Sequence, residues 1–123
     1  MTLQEMYEKV GGSYDSAKKI LPMDKMIAKF VQKFLTDKSC ENLFAAYEAK
    51  DPTGMFEGSH ALKGVCANLG FNDLSKLASD ISEEFRPGNA RTMSDEELDS
   101  RFADLKALYD RTIAGIQEFA AGQ

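Results

Sequence analysis

The stretch PTGMFEGSHALKGVCANLG, residues 52–70, decides how the rest of the chain is read. Asp51 suits a helix N-cap and Pro52 the first helical position, where a missing N–H costs nothing. Gly70 is a natural C-terminal stop. At about 100° per residue, with His60 at zero, Met55, Leu62, Val65, Cys66 and Leu69 fall between roughly 140° and 240°. That arc is the expected core stripe. His60 points away from it, toward water. Phe56, Lys63, Gly64 and Ala67 lie within roughly 60° of the imidazole.

This cluster is unusual for a solvated face. Gly in a helix interior costs about 1 kcal/mol relative to Ala, and Gly64 stands one turn after His60, directly beside it. Gly64 and Ala67 remove side chains that would screen the ring. Phe56 adds apolar area one turn before, and Lys63 a positive charge one turn after. A single helical histidine is ordinarily a plain surface residue. Here four neighbouring choices favour access to one ring, so His60 is the candidate functional residue.

Working outward, the chain reads as helix throughout, with no sustained alternation of apolar and polar residues. Thr2 and Gly11-Gly12 bracket a short helix, and Ser13 caps a second that Pro22 ends. Met26, Ile27, Phe30, Phe34 and Leu35 recur at helical spacing over 24–36, and Leu43, Phe44 and Tyr47 share a side over 39–50. Asn72 is placed to cap a helix over 72–86 with Leu74, Leu77, Ile81 and Phe85 inward. After Arg86-Pro87-Gly88-Asn89, Ser94 and Glu97 form a capping-box pattern for a long last helix. Its seam runs through Leu98, Phe102, Leu105, Leu108, Tyr109, Thr112, Ile116 and Phe119. The expectation is one all-α domain over 1–123: a helical extension over 1–22 and an antiparallel four-helix bundle within 24–120. The helices at 24–36, 39–50, 53–70 and 72–86 are the expected members, with the last helix alongside or replacing one.

Composition narrows the function. The 123 residues are 43% hydrophobic and 28% charged, with a net charge of −5. This excludes a disordered tail, and the net charge argues against a nucleic-acid partner. One His and two Cys cannot build a multi-histidine metal site, so no metal is expected. No segment approaches the roughly 18 apolar residues of a membrane span, and the N-terminus lacks a signal-peptide core. A cytoplasmic monomer with reduced thiols is expected. The six Met residues read as core gap-fillers, Cys66 as a core thiol and Cys40 as a partly exposed one. An enzyme using His60 as a general base lacks an orienting partner and a nucleophile motif, and His60 faces the wrong way for a haem ligand.

Residues 59–70, SHALKGVCANLG, resemble the histidine-containing phosphotransfer (HPt) domain. The shared pattern is a His, an apolar residue two on, Lys and Gly at three and four on, small residues, then a hydrophobic residue and Gly. Leu74 and Leu77 continue it, and the front of the chain is similar to stand-alone bacterial members. The resemblance implies a four-helix bundle and a phosphorelay carrier without an independent catalytic site. His60 is then the phosphoacceptor, taking a phosphoryl group from a receiver-domain aspartyl phosphate and passing it to another receiver Asp. Lys63 offsets phosphoryl charge, and Phe56, Gly64 and Ala67 form the docking centre. The implied partners are response-regulator receivers and a hybrid histidine kinase, with Mg²⁺ on the receiver and no cofactor of the chain's own. Many members place a ring-orienting Gln 22 residues after the His, and this chain has Ser82 there. Three alternatives stay open: Ser82 acting through water, Arg86 adding a second positive charge, or Glu57 taking the Nδ1 proton, against a merely solvated polar face. The competing function is an HPt-like module that binds receivers without being phosphorylated.

Overall fold

A computed structural model describes all residues, 1–123. It is built of helices alone: α1 (Leu3–Val10), α2 (Tyr14–Ile20), α3 (Asp24–Lys33), a 3-10 turn (Phe34–Thr36), α4 (Ser39–Glu48), α5 (Pro52–Asn68), α6 (Asn72–Phe85) and α7 (Asp95–Ala121). The punctuation follows local chemistry. Thr2 and Glu5 close a reciprocal capping box on α1, and Gly11 ends it in the left-handed conformation at φ 71°. Ser13 and Ser94 accept from the backbone N–H of Ser16 and Glu97 to open α2 and α7. Asn72 is the first residue of α6 rather than its cap, and its amide donates to Ser16 Oγ.

The bundle takes in α3 with its 3-10 turn, α4, α5, α6 and α7, which share one core. Its pairs run antiparallel. Leu43 and Ala46 of α4 meet Gly58 and Gly54 of α5, and Ser75 Oγ of α6 donates to the Lys63 carbonyl of α5. Across α4 and α7, Tyr47 stacks on Phe102 with centroids 4.0 Å apart, and its hydroxyl donates to Asp99. Over 24–36 the expected helix forms as α3 followed by the 3-10 turn, and its Ile27, Val31 and Phe34 are buried in the common core. The 27 residues of α7 span about 40 Å at 1.5 Å each, against about 15 Å for α4. The far half of α7 therefore needs another cover, and α1 and α3 supply it. Phe34, in the 3-10 turn, packs edge-on against Tyr109, and Val10 sits against Gly115. Leu3, Met6, Tyr7 and Val10 of α1 join the same core as the bundle residues.

Two close approaches fix α5. A methyl group added at Gly58 would lie 2.9 Å from Leu43 Cα, so the absent side chain lets α4 and α5 pack backbone to backbone. At the other end Gly70 turns at φ 74°, and its carbonyl accepts from Ser13 N at 2.7 Å. Tyr7 Oη donates to the Leu69 carbonyl beside it. The loop after α6 is held by a buried carboxylate. Glu84 accepts from Arg91 Nε, Thr92 Oγ1 and Met93 N, each at 2.8 Å, and from Thr92 N.

Several expectations about burial are corrected. Cys40 is buried, not partly exposed. Val65 is half-buried rather than core. The methionines are not all gap-fillers: Met23 is 58% and Met26 40% exposed, and Phe30 and Ile20 are exposed with them. On α3 Ile27 and Val31 are buried, with Ala28 packed beside them. The apolar stripe of that helix is wider than the surface its neighbours cover.

Candidate functional site

The elements above leave one face of α5 uncovered. His60 lies there with Glu57, Ala61, Gly64, Ala67 and Asn68, all exposed, while Met55, Leu62 and Cys66 are buried on the opposite side. The imidazole makes no hydrogen bond or ion pair with the protein. A Cβ added at Gly64 would find nothing within 4 Å, so one turn along from the ring is open space. Gly58 and Gly64 thus serve opposite purposes on one helix. The first admits a neighbouring backbone and the second leaves room for something that is not part of the chain.

On the α6 side, Phe56 stacks against His60, with centroids 5.6 Å apart and planes inclined by 24°. The guanidinium of Arg86, at the end of α6, lies 5.6 Å from the Phe56 centroid. This contact is of the kind that holds a cation on an aromatic ring. Arg86 is ion-paired: its Nε and Nη2 donate to Glu83 Oε1 at 3.2 and 2.7 Å. Lys63 is half-buried, and no carboxylate stands within 4 Å of its ammonium. The structure therefore brings together His60, Phe56, Lys63, Gly64, Ala67 and, through Phe56, Arg86.

Ser82 does not join them. Its residue is fully buried and its Oγ has no hydrogen-bond partner, so it does not bond the imidazole. The reason is its place on α6: it follows Ile81 and stands one turn beyond Ala78, on the strip that seals against the rest of the bundle. Glu57 makes no contact with the ring nitrogens either. The imidazole is steadied by the Phe56 face alone.

A feature beyond the sequence reading lies on the other flank of α5. An apolar groove of about 430 Å³ runs between α2, α3 and the second half of α5, lined by Ile20, Leu21, Phe30, Phe34, Val65 and Leu69. Of the exposed large apolar side chains, Ile20 and Phe30 line it. The groove starts about 8 Å along α5 from His60, the rise of five helical residues. Residues 14–33 carry five lysines against two aspartates, in a chain whose net charge is −5. Lys33 leans over Phe30 at 5.2 Å. The polar residues lining the groove are Lys33, Asp37 and Asn68. The signal for the groove was the over-wide stripe of α3, which no single neighbour can cover.

No group of His, Cys, Asp and Glu residues is arranged to hold a metal ion. No helix is long and apolar enough to cross a membrane. No curated protein and no solved structure gives a significant match to the chain. The family model of the Hpt domain does match, over residues 25–115, a span that contains α4, α5, α6 and most of α3 and α7. With most of its length inside that match, and a helical bundle presenting a bare histidine, the chain belongs to the Hpt domain family of phosphorelay phosphotransfer modules.

Proposed function

We propose that His60 is the phosphoacceptor of this module, loaded by the aspartyl phosphate of a receiver domain and unloaded onto the Asp of another. The observation that carries this reading is the open space at Gly64 beside an exposed, unbonded imidazole. In the transfer the proton resides on Nδ1 and the Nε2 lone pair attacks phosphorus. The Nε2–P bond forms as the P–O bond to the Asp carboxyl breaks, and the electron pair of that bond leaves with the carboxylate. The phosphoimidazole so formed keeps the Nδ1 proton or gives it to water. Onward transfer is the same displacement in reverse, on a new carboxylate.

Such chemistry asks the carrier for positioning and charge compensation, with little covalent machinery. Phe56 holds the ring, Lys63 stands one turn on with its ammonium uncommitted, and Gly64 leaves the in-line approach clear. The Mg²⁺ that phosphoaspartate chemistry uses is assigned to the receiver. The groove between α2, α3 and α5 is the natural footing for that partner, because burying the exposed Ile20 and Phe30 supplies affinity.

The test is transfer of labelled phosphoryl from a panel of phosphorylated receivers. Acid-labile, base-stable label on the wild-type chain, and none on a folded His60→Gln variant, is the expected result. Label of equal extent on His60→Gln refutes the assignment.

A further inference from the structure

The positive charge near His60 comes from Lys63 on α5 and from Arg86 at the C-terminal cap of α6, and one carboxylate competes for it. Glu83 takes both Nε and Nη2 of Arg86 on a single oxygen. The Glu83 peptide oxygen accepts from Asn89 Nδ2 at 2.9 Å, which ties this turn of α6 to the loop beyond it. Held there, the guanidinium lies 5.6 Å from the centroid of Phe56, the ring that stacks against the imidazole. The hydrogen bonds from Arg86 hold the Glu83 carboxyl below its ordinary range, with the charge of Lys63 contributing less. The other acid close by, Glu57, is exposed and pairs with neither cation.

We propose that Glu83 is a positioning residue that holds Arg86 back on Phe56 and so keeps a phosphoryl group on His60 easy to pass on. The inference rests on the phosphoacceptor reading of His60 and adds a control to it. A phosphorylated side chain carries roughly −1.5 to −2 charge near neutral pH. An unrestrained Arg86 can swing toward that charge and stabilise it, making the carrier a sink. Glu83 draws the same guanidinium the other way and adds its own repulsion. A carrier that must both receive and give is served by this balance, because stabilising the loaded state speeds neither direction once it becomes a trap.

The experiment is the equilibrium partition of label between a phosphorylated receiver and this chain, with the onward rate to a second receiver. Wild type, Glu83→Gln, Glu83→Asp, Arg86→Gln and the Glu83→Gln/Arg86→Gln double variant are compared. Glu83 is exposed, so Glu83→Gln is expected to fold with unchanged helicity. In that variant the partition shifts toward the chain by roughly two- to fivefold, the scale of exposed charge pairs, and onward transfer slows by a similar factor. Glu83→Asp recovers part of the wild-type partition, and the shift shrinks in the Arg86→Gln background. An unchanged partition in Glu83→Gln, or one displaced toward the receiver, overturns the proposal. So does an equal shift without Arg86, which would leave only bare repulsion. Absence of label on the wild-type chain would instead refute the phosphoacceptor reading, and this inference with it.

Discussion

Replacing Gly64 should separate stability from transfer. Gly64 lies inside α5, where glycine is about 1 kcal/mol worse than alanine in helix propensity, and an added Cβ meets nothing within 4 Å. Gly64→Ala therefore gains about 0.5–1 kcal/mol, a rise in Tm of roughly 2–6 °C for a domain of this size. Leu has nearly the helix propensity of Ala, so Gly64→Leu should be at least as stable as wild type. Its effect on chemistry is opposite. Helical side chains lean toward the N-terminus of their own helix, so a Leu at 64 reclines over the turn that carries His60. An in-line attack needs reacting atoms about 3–3.5 Å apart, and a displacement of about 1 Å can cost on the order of 100-fold. Transfer to Gly64→Leu should fall by on the order of 10- to 100-fold, and to Gly64→Ala by much less. Thermal unfolding followed by circular dichroism, and single-turnover label transfer, read the two effects. Gly58→Ala is the contrast, since its methyl would press on the Leu43 backbone at 2.9 Å and should cost roughly 1–3 kcal/mol. A stable Gly64→Leu that transfers at the wild-type rate would refute the reasoning about access.

Other expectations follow from single contacts. Burial alone would push the Glu84 carboxyl up, but its bonds from Arg91, Met93 and Thr92 outweigh that and hold its pKa at about 2 against 4.5 for a free glutamate. Because the folded value is the lower one, this stability is present above about pH 4.5 and is lost as pH falls toward 2. Glu84→Gln should therefore cost about 2–3 kcal/mol at neutral pH and flatten the acid limb of a denaturation curve, and an unaltered acid limb would remove Glu84 from the account. Lys63→Ala should reduce transfer or phosphohistidine lifetime about two- to fivefold, since water and salt screen the ammonium, and complete loss of transfer would make Lys63 essential. Ile20→Ser with Phe30→Ser, both exposed residues lining the groove, should leave Tm nearly unchanged yet weaken receiver binding roughly tenfold in a titration. Unchanged binding would place the partner elsewhere.

The features visible in the sequence were those written in local periodicity and caps. The Thr2 and Glu5 capping box, the Ser13 and Ser94 caps and the outward turn of His60 need only residues within a few positions of one another. What escaped needed knowledge of which helix covers which. The stripe of α3 shows Met26 and Phe30 as apolar, but only the placement of α1 and α7 decides that Ile27 and Val31 are buried and the others left bare. Cys40 reads as partly exposed, yet the start of α4 is folded inside. Ser82 stands at the position expected for a ring partner, and its serine character suggested a surface. The inward strip of Ala78, Ile81 and Phe85 carries it into the interior instead. Arg86 was visible as a charge, whereas its lodging on Phe56 under the hold of Glu83 is a tertiary fact.

The central claim is that one imidazole, on the exposed face of α5, carries the phosphoryl group. Intact mass measurement after incubation with a phosphorylated receiver, followed by fragmentation under conditions that spare phosphohistidine, tests it most directly. The account predicts a single phosphoryl group, localised to His60, the only histidine in the chain. A phosphoryl group on any other residue, or none from any receiver of a broad panel, would contradict it.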